Sequence, residues 1–411
     1  MAKPLGRVVT DAPRAVVDSG PSHVLSVGLQ YLRGRLPEEL WTGLCRDPMA
    51  AADGVIELFD GGSIDVSYDG THPLPRQLDA YRRRITGAEG AVYVFEDASI
   101  FGRRPVVEAD GRYFSASWFG VDTPYYDQRF KRVQRNLPLI ENIRQTRFGK
   151  DPEAHVECGF LLDTERGAGF HHWFYEVLPK LYWYEKLREA TGETPTLISH
   201  SPLKGFQRRS LELMGYDPES VLQHPQRHTA VETLFLAPHP IRLKSNQYQC
   251  LPVQLDWVGE RITAGLDLAD HSFSDRVYVS RADADRRFVV NEEELVDRLA
   301  DYGFESYEPG RYSFEDQIRL FANAETIVGP HGLAYTNLIY ADDATLVELF
   351  PRGGGTATYF VAATELGLTY ECLECPAIEP DVHIRARDKD LAAPIEDVVS
   401  LVEKHQRPTP T

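Results

Sequence analysis

From about residue 155 the chain alternates short apolar runs with longer amphipathic ones. Apolar runs at 157–162, 196–199 and 231–236 predict strands. Apolar spacing of three and four at 172–188, 202–214 and 252–266 predicts helices between and after them. An acidic stretch at 267–275 reads as a linker, and the rhythm then restarts. Strands are expected at 277–280, 304–307, 326–328, 345–350 and 369–373, with helices at 291–302, 313–323, 333–340 and 356–366. Asn291, with Glu294 three residues on, has the form of a capping box. Strands alternating with helices imply βαβ units and parallel sheets. Two such runs, split near residue 270, predict an α/β chain with two Rossmann-like domains, 151–270 and 271–392. Ligands then bind outside the carboxyl ends of the strands, in the cleft between domains. The first 150 residues are less regular. Alternation at 90–96 and 113–119 predicts an antiparallel annex, or decorations on the first domain. Residues 393–404 read as a C-terminal helix and 407–411 as a disordered tail.

Composition narrows the function. At 411 residues and 42% hydrophobic, the chain can bury more than one core. No apolar run reaches the length of a membrane span, and residues 1–20 are charged and broken by prolines, unlike a secretion signal. The expectation is a cytoplasmic protein. Net charge is −18, with nine lysines against 35 arginines, the acid-rich, lysine-poor balance of salt-adapted (halophilic) proteins. Such a surface argues against nucleic acid as a partner. An anionic small substrate would need a local positive pocket inside this negative field. The five cysteines form no disulfide framework, and Cys372–Cys375 is a lone CxxC where structural zinc needs four ligands.

The most informative segment is 327–337, where a buried run ends in Gly329-Pro330-His331-Gly332 before an amphipathic stretch. That pattern predicts a strand, a tight turn and a helix. Glycines let backbone approach a ligand, a helix N-terminus offers N–H groups to an anion, and His331 adds a donor. A second segment, 169–181, opens a helix whose Phe170, Trp173, Phe174, Val177 and Leu181 should pack on the first sheet. His172 and Glu176, four apart, share its other face, where a carboxylate can orient an imidazole as a general base. A solvated pair beside a capping His171 is the plainer alternative. Third, Arg281 follows a strand, with Arg286 and Arg287 close behind. Their planar forks suit phosphate, unless Asp283 and Asp285 merely pair with them. Asp283-Ala284-Asp285 also matches a DxD metal motif, but so does Asp388-Lys389-Asp390. Two matches are what chance gives in so acidic a chain, so no metal site is expected. Glu348 sits in an otherwise apolar strand and needs a partner, either ribose hydroxyls or a salt bridge. Gly353-Gly354-Gly355 then leads to Thr356, a candidate N-cap.

Together these segments resemble glycosyltransferase family 61, a group of inverting enzymes that includes capsular-polysaccharide enzymes, plant xylosyl- and arabinosyltransferases and O-linked N-acetylglucosaminyltransferases. The first matching block is His172-Trp173 with 178–181 behind it. The second is Ser280-Arg281, Arg287 and 291–295. The third is 329–332 with Thr336-Asn337 and Glu348. The likeness covers about residues 155–375 and departs from the usual pattern at Leu333-Ala334-Tyr335 and at 169–171. It implies a GT-B fold of two facing Rossmann-like domains, and transfer of a hexosyl, pentosyl or N-acetylhexosaminyl group from a nucleotide-sugar. The acceptor it implies is a glycan, a lipid-linked glycan or a protein hydroxyl. By the same resemblance His172 and Glu176 are catalytic. Arg281, Arg287, Gly329, His331, Gly332, Asn337 and Glu348 bind the donor, with Glu348 on the ribose. No metal or cofactor is implied. Lipid-linked acceptors would bring the protein to the inner face of the cell membrane as a peripheral partner. The alternative is a non-catalytic sugar-nucleotide or glycan-binding subunit on the same fold; a sugar-nucleotide epimerase fits fewer blocks.

Overall fold

A computed structural model describes residues 48–79, 81–86, 90–101, 105–110, 112–116, 119, 152–164, 166–199, 202–223, 228–240, 252–378 and 385–405. The tail expected at 407–411, Cys45 and Cys250 lie outside them.

Ten strands come first: β1 (Gly54–Glu57), β2 (Ser63–Asp65), β3 (Arg84–Thr86), β4 (Ala91–Phe101), β5 (Val106–Ala109), β6 (Arg112–Ser115), β7 (Ala154–Leu161), β8 (Thr196–Ser199), β9 (Leu222–Gln223) and β10 (His228–Leu236). Eight of them form one sheet, ordered β6-β5-β4-β10-β7-β8-β9, with β1 also on β4. Pairing is parallel from β10 through β7 and β8 to β9, and antiparallel across β10–β4, β4–β5 and β5–β6. The alternating segments before residue 150 therefore extend the first sheet. Phe160, Leu162 and Trp173 pack on one face of that sheet, and Phe95, Phe114 and Leu161 on the other.

The second sheet contains β11 (Arg276–Val279), β12 (Glu305–Tyr307), β13 (Thr326–Pro330), β14 (Thr345–Pro351) and β15 (Thr369–Cys375), ordered β12-β11-β13-β14-β15. Every pairing is parallel. Such sheets are covered on both faces, and β14 is accordingly buried along its whole length. Cys372 and Cys375, an odd number of residues apart on β15, point to opposite faces and join different cores. They cannot chelate together, and burial pushes each thiol up to about 12.

The hairpin β2–β3 and the turn between its strands pack on the second sheet, through Val66 and Leu78. Thr71 donates to Glu371 from its backbone N–H and its hydroxyl, at 2.8 and 2.9 Å. The residues before 150 thus serve both sheets.

Three local expectations change. The helix expected over 172–188 is broken into Phe170–His172, a π turn at Trp173–Val177 and helix Lys180–Thr191. Pro179 has no N–H and its ring would meet the carbonyl of Tyr175 in a regular α-helix, whereas the wider turn lets Leu178 N–H reach Trp173 O at 2.9 Å. Asn291 makes no capping box. Its side chain instead bonds both backbone groups of Ala393, tying helix Glu292–Ala300 to the segment before helix Ile395–Lys404. The segment Leu333–Tyr340 is a 3₁₀ helix, capped by Gly332.

Candidate active site

Strand order says where to look. In the second sheet the order reverses between β11 and β13, and in the parallel part of the first sheet between β7 and β10. Crevices at such switch points, beyond the carboxyl ends of the strands, are where doubly wound sheets take ligands.

At the first switch point, chain leaving β7 supplies Asp163 and Thr164, and chain leaving β10 supplies His239. The π turn brings His172 and Glu176 onto them. Glu176 is 3% exposed, and its Oε1 lies 2.5 Å from His172 Nδ1. Its Oε2 accepts from Thr164 Oγ1 at 3.2 Å and lies 3.6 Å from His239 Nε2. Burial alone would raise this carboxyl, but the hydrogen bond from His172 and the nearby imidazole of His239 outweigh it and hold the group below the usual carboxylate range. That favours the ionised form of Glu176, which suits it to hold His172 more than to take a proton. The His172 side chain keeps 21% of its surface exposed, and a base must be reachable. His171 is buried against Tyr175, with ring centroids 4.5 Å apart. Burial, then the neighbouring His172, pushes its imidazole down to about 3. Lys180 is buried in the same region, and burial pushes its ammonium down to about 8 against the pull of Asp163 and Glu176.

The second switch point opens into a cleft of about 320 Å³. Val279, Ser280 and Arg281 from the end of β11 form one wall, and 332–334 form another. Phe170, two residues before His172, closes it from the first sheet's side. The N–H groups of Gly332, Leu333 and Ala334 start the 3₁₀ helix, so none has an acceptor within it. A side chain at Gly332 would begin 2.5 Å from Arg281 Nη1, so glycine here lets the guanidinium lie on the turn. Arg287 sits in Arg281's electrostatic field. Burial, then that like charge, pushes it down to about 10. Its backbone is left-handed, φ 62°, and its Nε is buried with no hydrogen-bond partner among the described residues. Strain of about 1–3 kcal/mol and an orphaned donor, beside a second guanidinium, are the marks of a site shaped for an anion. Arg286 is spent on Asp388.

His331 follows β13, and its Nδ1 lies 2.6 Å from Glu348 Oε1. Tyr370 donates to the other Glu348 oxygen at 2.8 Å, and Thr356 Oγ1 lies 3.1 Å from His331 Nε2. Glu348 is wholly buried with both oxygens engaged, so the ribose role expected for it does not fit: it takes the salt-bridge option and orients His331. Thr356 bonds His331 and does not cap the next helix, whose N-cap is Ala357. Asn337 is also wholly buried; it donates to Gln317, which lines the cleft, and so stands behind the site. Gly329 serves packing. A Cβ there would lie 2.6 Å from Val279 O and 2.9 Å from the Tyr335 hydroxyl. Gly329→Ala should cost about 1–3 kcal/mol of stability, read by denaturant unfolding.

The two centres meet through His171 and Tyr359. The His171 ring lies 5.6 Å from that of His172 and 5.8 Å from that of Tyr359, which lies 5.3 Å from that of His331. His171 Nδ1 also bonds Thr336 at 3.3 Å. Arg281, Asp283 and Gly332 line the cleft. Arg287 stands in the field of Arg281, His331 precedes Gly332 on the turn, and Phe170, two residues before His172, lines the first sheet's side. Among the described residues no three His, Cys, Asp or Glu side chains are placed to hold a metal ion, and no helix is long and apolar enough to cross a membrane.

Both sheets place polar side chains beyond the switch points of their strand order, the second with Arg281, Asp283 and the turn at Gly332. The chain carries the glycosyltransferase 61 family segment: residues 170–347 match that family's model, described as Glycosyltransferase 61. The match runs from the His172 block through the His331 turn and supports glycosyltransferase activity. No curated protein matches the chain.

Proposed function

We propose that this chain is an inverting glycosyltransferase of GT-B arrangement. It moves a hexosyl, pentosyl or N-acetylhexosaminyl group from a nucleotide-sugar to a glycan, lipid-linked glycan or protein hydroxyl. The observation that carries this reading is the cleft at the β11/β13 switch point, where Arg281 and Asp283 line one wall, the turn at Gly332 another, and Phe170 of the first sheet's side the far wall. Arg281, Arg287 and the N–H groups starting at Gly332 take the diphosphate, and His331, held by Glu348 and Thr356, braces the turn that presents them. On the other side His172, anchored through Nδ1 by ionised Glu176, presents Nε2 to the acceptor hydroxyl. Nε2 removes the proton as the hydroxyl oxygen attacks the anomeric carbon. The bond from that carbon to the diphosphate oxygen breaks, and one displacement inverts the centre. Glu176 stabilises the imidazolium that forms, and the fixed cations stabilise the departing charge.

A thermal-shift panel of UDP, GDP, UDP-xylose, UDP-arabinose and UDP-N-acetylglucosamine tests the reading. A specific ligand at 100 times its Kd should stabilise the fold by about 2.7 kcal/mol. No shift with any nucleotide would refute a donor site here. Because two arginines supply the charge, turnover is expected to survive EDTA. A strict Mn²⁺ or Mg²⁺ requirement, lost in Asp283→Ala, would return the DxD motif to the mechanism.

A further inference from the structure

The first sheet's switch point is not an open crevice. It is filled by buried polar side chains from three separate elements: Asp163 and Thr164 after β7, Glu176 and Lys180 around the π turn, and His239 after β10. All are at most 4% exposed. Burying charge is costly unless each group is paired, so an ionic cluster with no route to solvent calls for a use. Among the described residues its outward member is His172.

Glu176 stands at the centre. Its Oε1 takes His172, and its Oε2 faces Thr164 Oγ1 and His239 Nε2. His239 is 1% exposed, three residues past the end of β10, and its backbone N–H donates to Phe119 O at 2.7 Å. A carboxylate with one oxygen untied could rotate about its terminal torsion and let go of His172 Nδ1. A carboxylate bonded on both oxygens cannot.

We propose that His239 is a positioning residue: its imidazole, 3.6 Å from the inner oxygen of Glu176 that Thr164 bonds, confines that oxygen from the other side, which keeps the outer oxygen on His172 Nδ1 and His172 Nε2 turned toward the acceptor. The inference rests on the reading of His172 as the base. His239 touches no substrate. The relay runs outward from a rigid strand end through an anion to the reacting imidazole, the logic by which outer partners orient metal-bound histidines. Lys180 adds a buried ammonium beside Glu176 and Asp163, with Asp163 balancing its charge, while burial lowers the His239 imidazole. The other ring near His172 is His171, which burial keeps neutral. The groups acting on Glu176 are thus His172, His239, Lys180 and Thr164.

The test uses the full chain and three variants, His239→Gln, His239→Leu and His172→Gln. One readout is UDP release from whichever UDP-sugar of the panel gives the largest thermal shift. The other is the ¹⁵N imidazole spectrum, with the His172 signals assigned by their loss in His172→Gln. In wild type the His172 Nδ1 should carry its proton toward Glu176. His239→Leu should lower kcat by about 10–100-fold with donor KM nearly unchanged, and should convert the His172 signals to a mixture of tautomers. His239→Gln, whose amide N–H still reaches Glu176, should restore most of both. If His239→Leu fails to fold, His239→Gln decides alone: wild-type tautomer and near-wild-type kcat support the relay. A loss in His239→Gln at an unchanged melting temperature overturns it, as does a wild-type spectrum and rate in His239→Leu. Full turnover in His172→Gln would instead refute the base assignment, a different failure visible in the same series.

Discussion

Replacing His172 by alanine is expected to lower kcat by about 10²–10⁴ while nucleoside diphosphate affinity stays close to wild type. The split follows from where the ring sits. Its Nδ1 is held at 2.5 Å by a carboxylate that stays ionised, so the ring can gain a proton at Nε2 without leaving its place. The groups proposed to bind phosphate are on the other sheet's side, and the substitution touches none of them. The competitors fail on physical grounds. His171 is a weak base because burial holds its imidazole near 3. Glu176 is buried with both oxygens engaged, and its neighbouring imidazoles hold it below the usual carboxylate range. Turnover of the responding UDP-sugar and calorimetric titration of UDP measure the two quantities separately. Wild-type turnover in His172→Ala would make the histidine structural. Abolished UDP binding would move it to the donor site and leave the base to be sought elsewhere.

Some of this site was legible in the sequence and some was not, for definable reasons. The pairing of His172 with Glu176 follows from a spacing of four, and it survives the π turn. The turn itself is written in Pro179, but only as a missing N–H, and periodicity does not say how a chain will absorb that loss. Strands and helices announce themselves by apolar period, whereas strand order does not. The switch points became visible only once β11 was seen between β12 and β13, and β7 between β8 and β10. His239, Asp163 and Thr164 were missed because they converge from chain segments some 75 residues apart with no local pattern. The signal that could have found them is their place just past predicted strands. Glu348 was read as a ligand group because a lone acid in an apolar strand demands a partner. The demand was real, but the register that pairs Gly329 with Glu348 places His331 within reach to meet it. Asn337 was misplaced similarly, since a motif shows that a residue matters and not whether it faces the ligand or the core. The left-handed backbone of Arg287 has no sequence signature at all.

That backbone bears on the second large effect. Arg281→Ala and Arg287→Ala should each weaken UDP or GDP binding by about 1.5–3 kcal/mol, roughly one to two orders of magnitude in Kd, for the loss of a charge-assisted contact. The two losses should not add. Each guanidinium raises the cost of the other: burial and Arg281 together push Arg287 down to about 10, and burial lowers Arg281 as well. A bound diphosphate relieves that repulsion, so part of its binding energy belongs to the pair. With one arginine gone the repulsion is absent, and the second substitution removes only a direct contact. A double-mutant cycle on UDP affinity should therefore show coupling of about 0.5 kcal/mol or more. The free protein should respond with the opposite sign. Arg287→Gly discharges one cation and relaxes a residue held at φ 62°, so it is expected to raise the melting temperature while lowering affinity. A variant more stable and worse at binding is what a strained anion site predicts. An Arg287→Gly protein that loses stability, or binds UDP as tightly as wild type, would show that the strain and the charge pair serve the fold and not the donor.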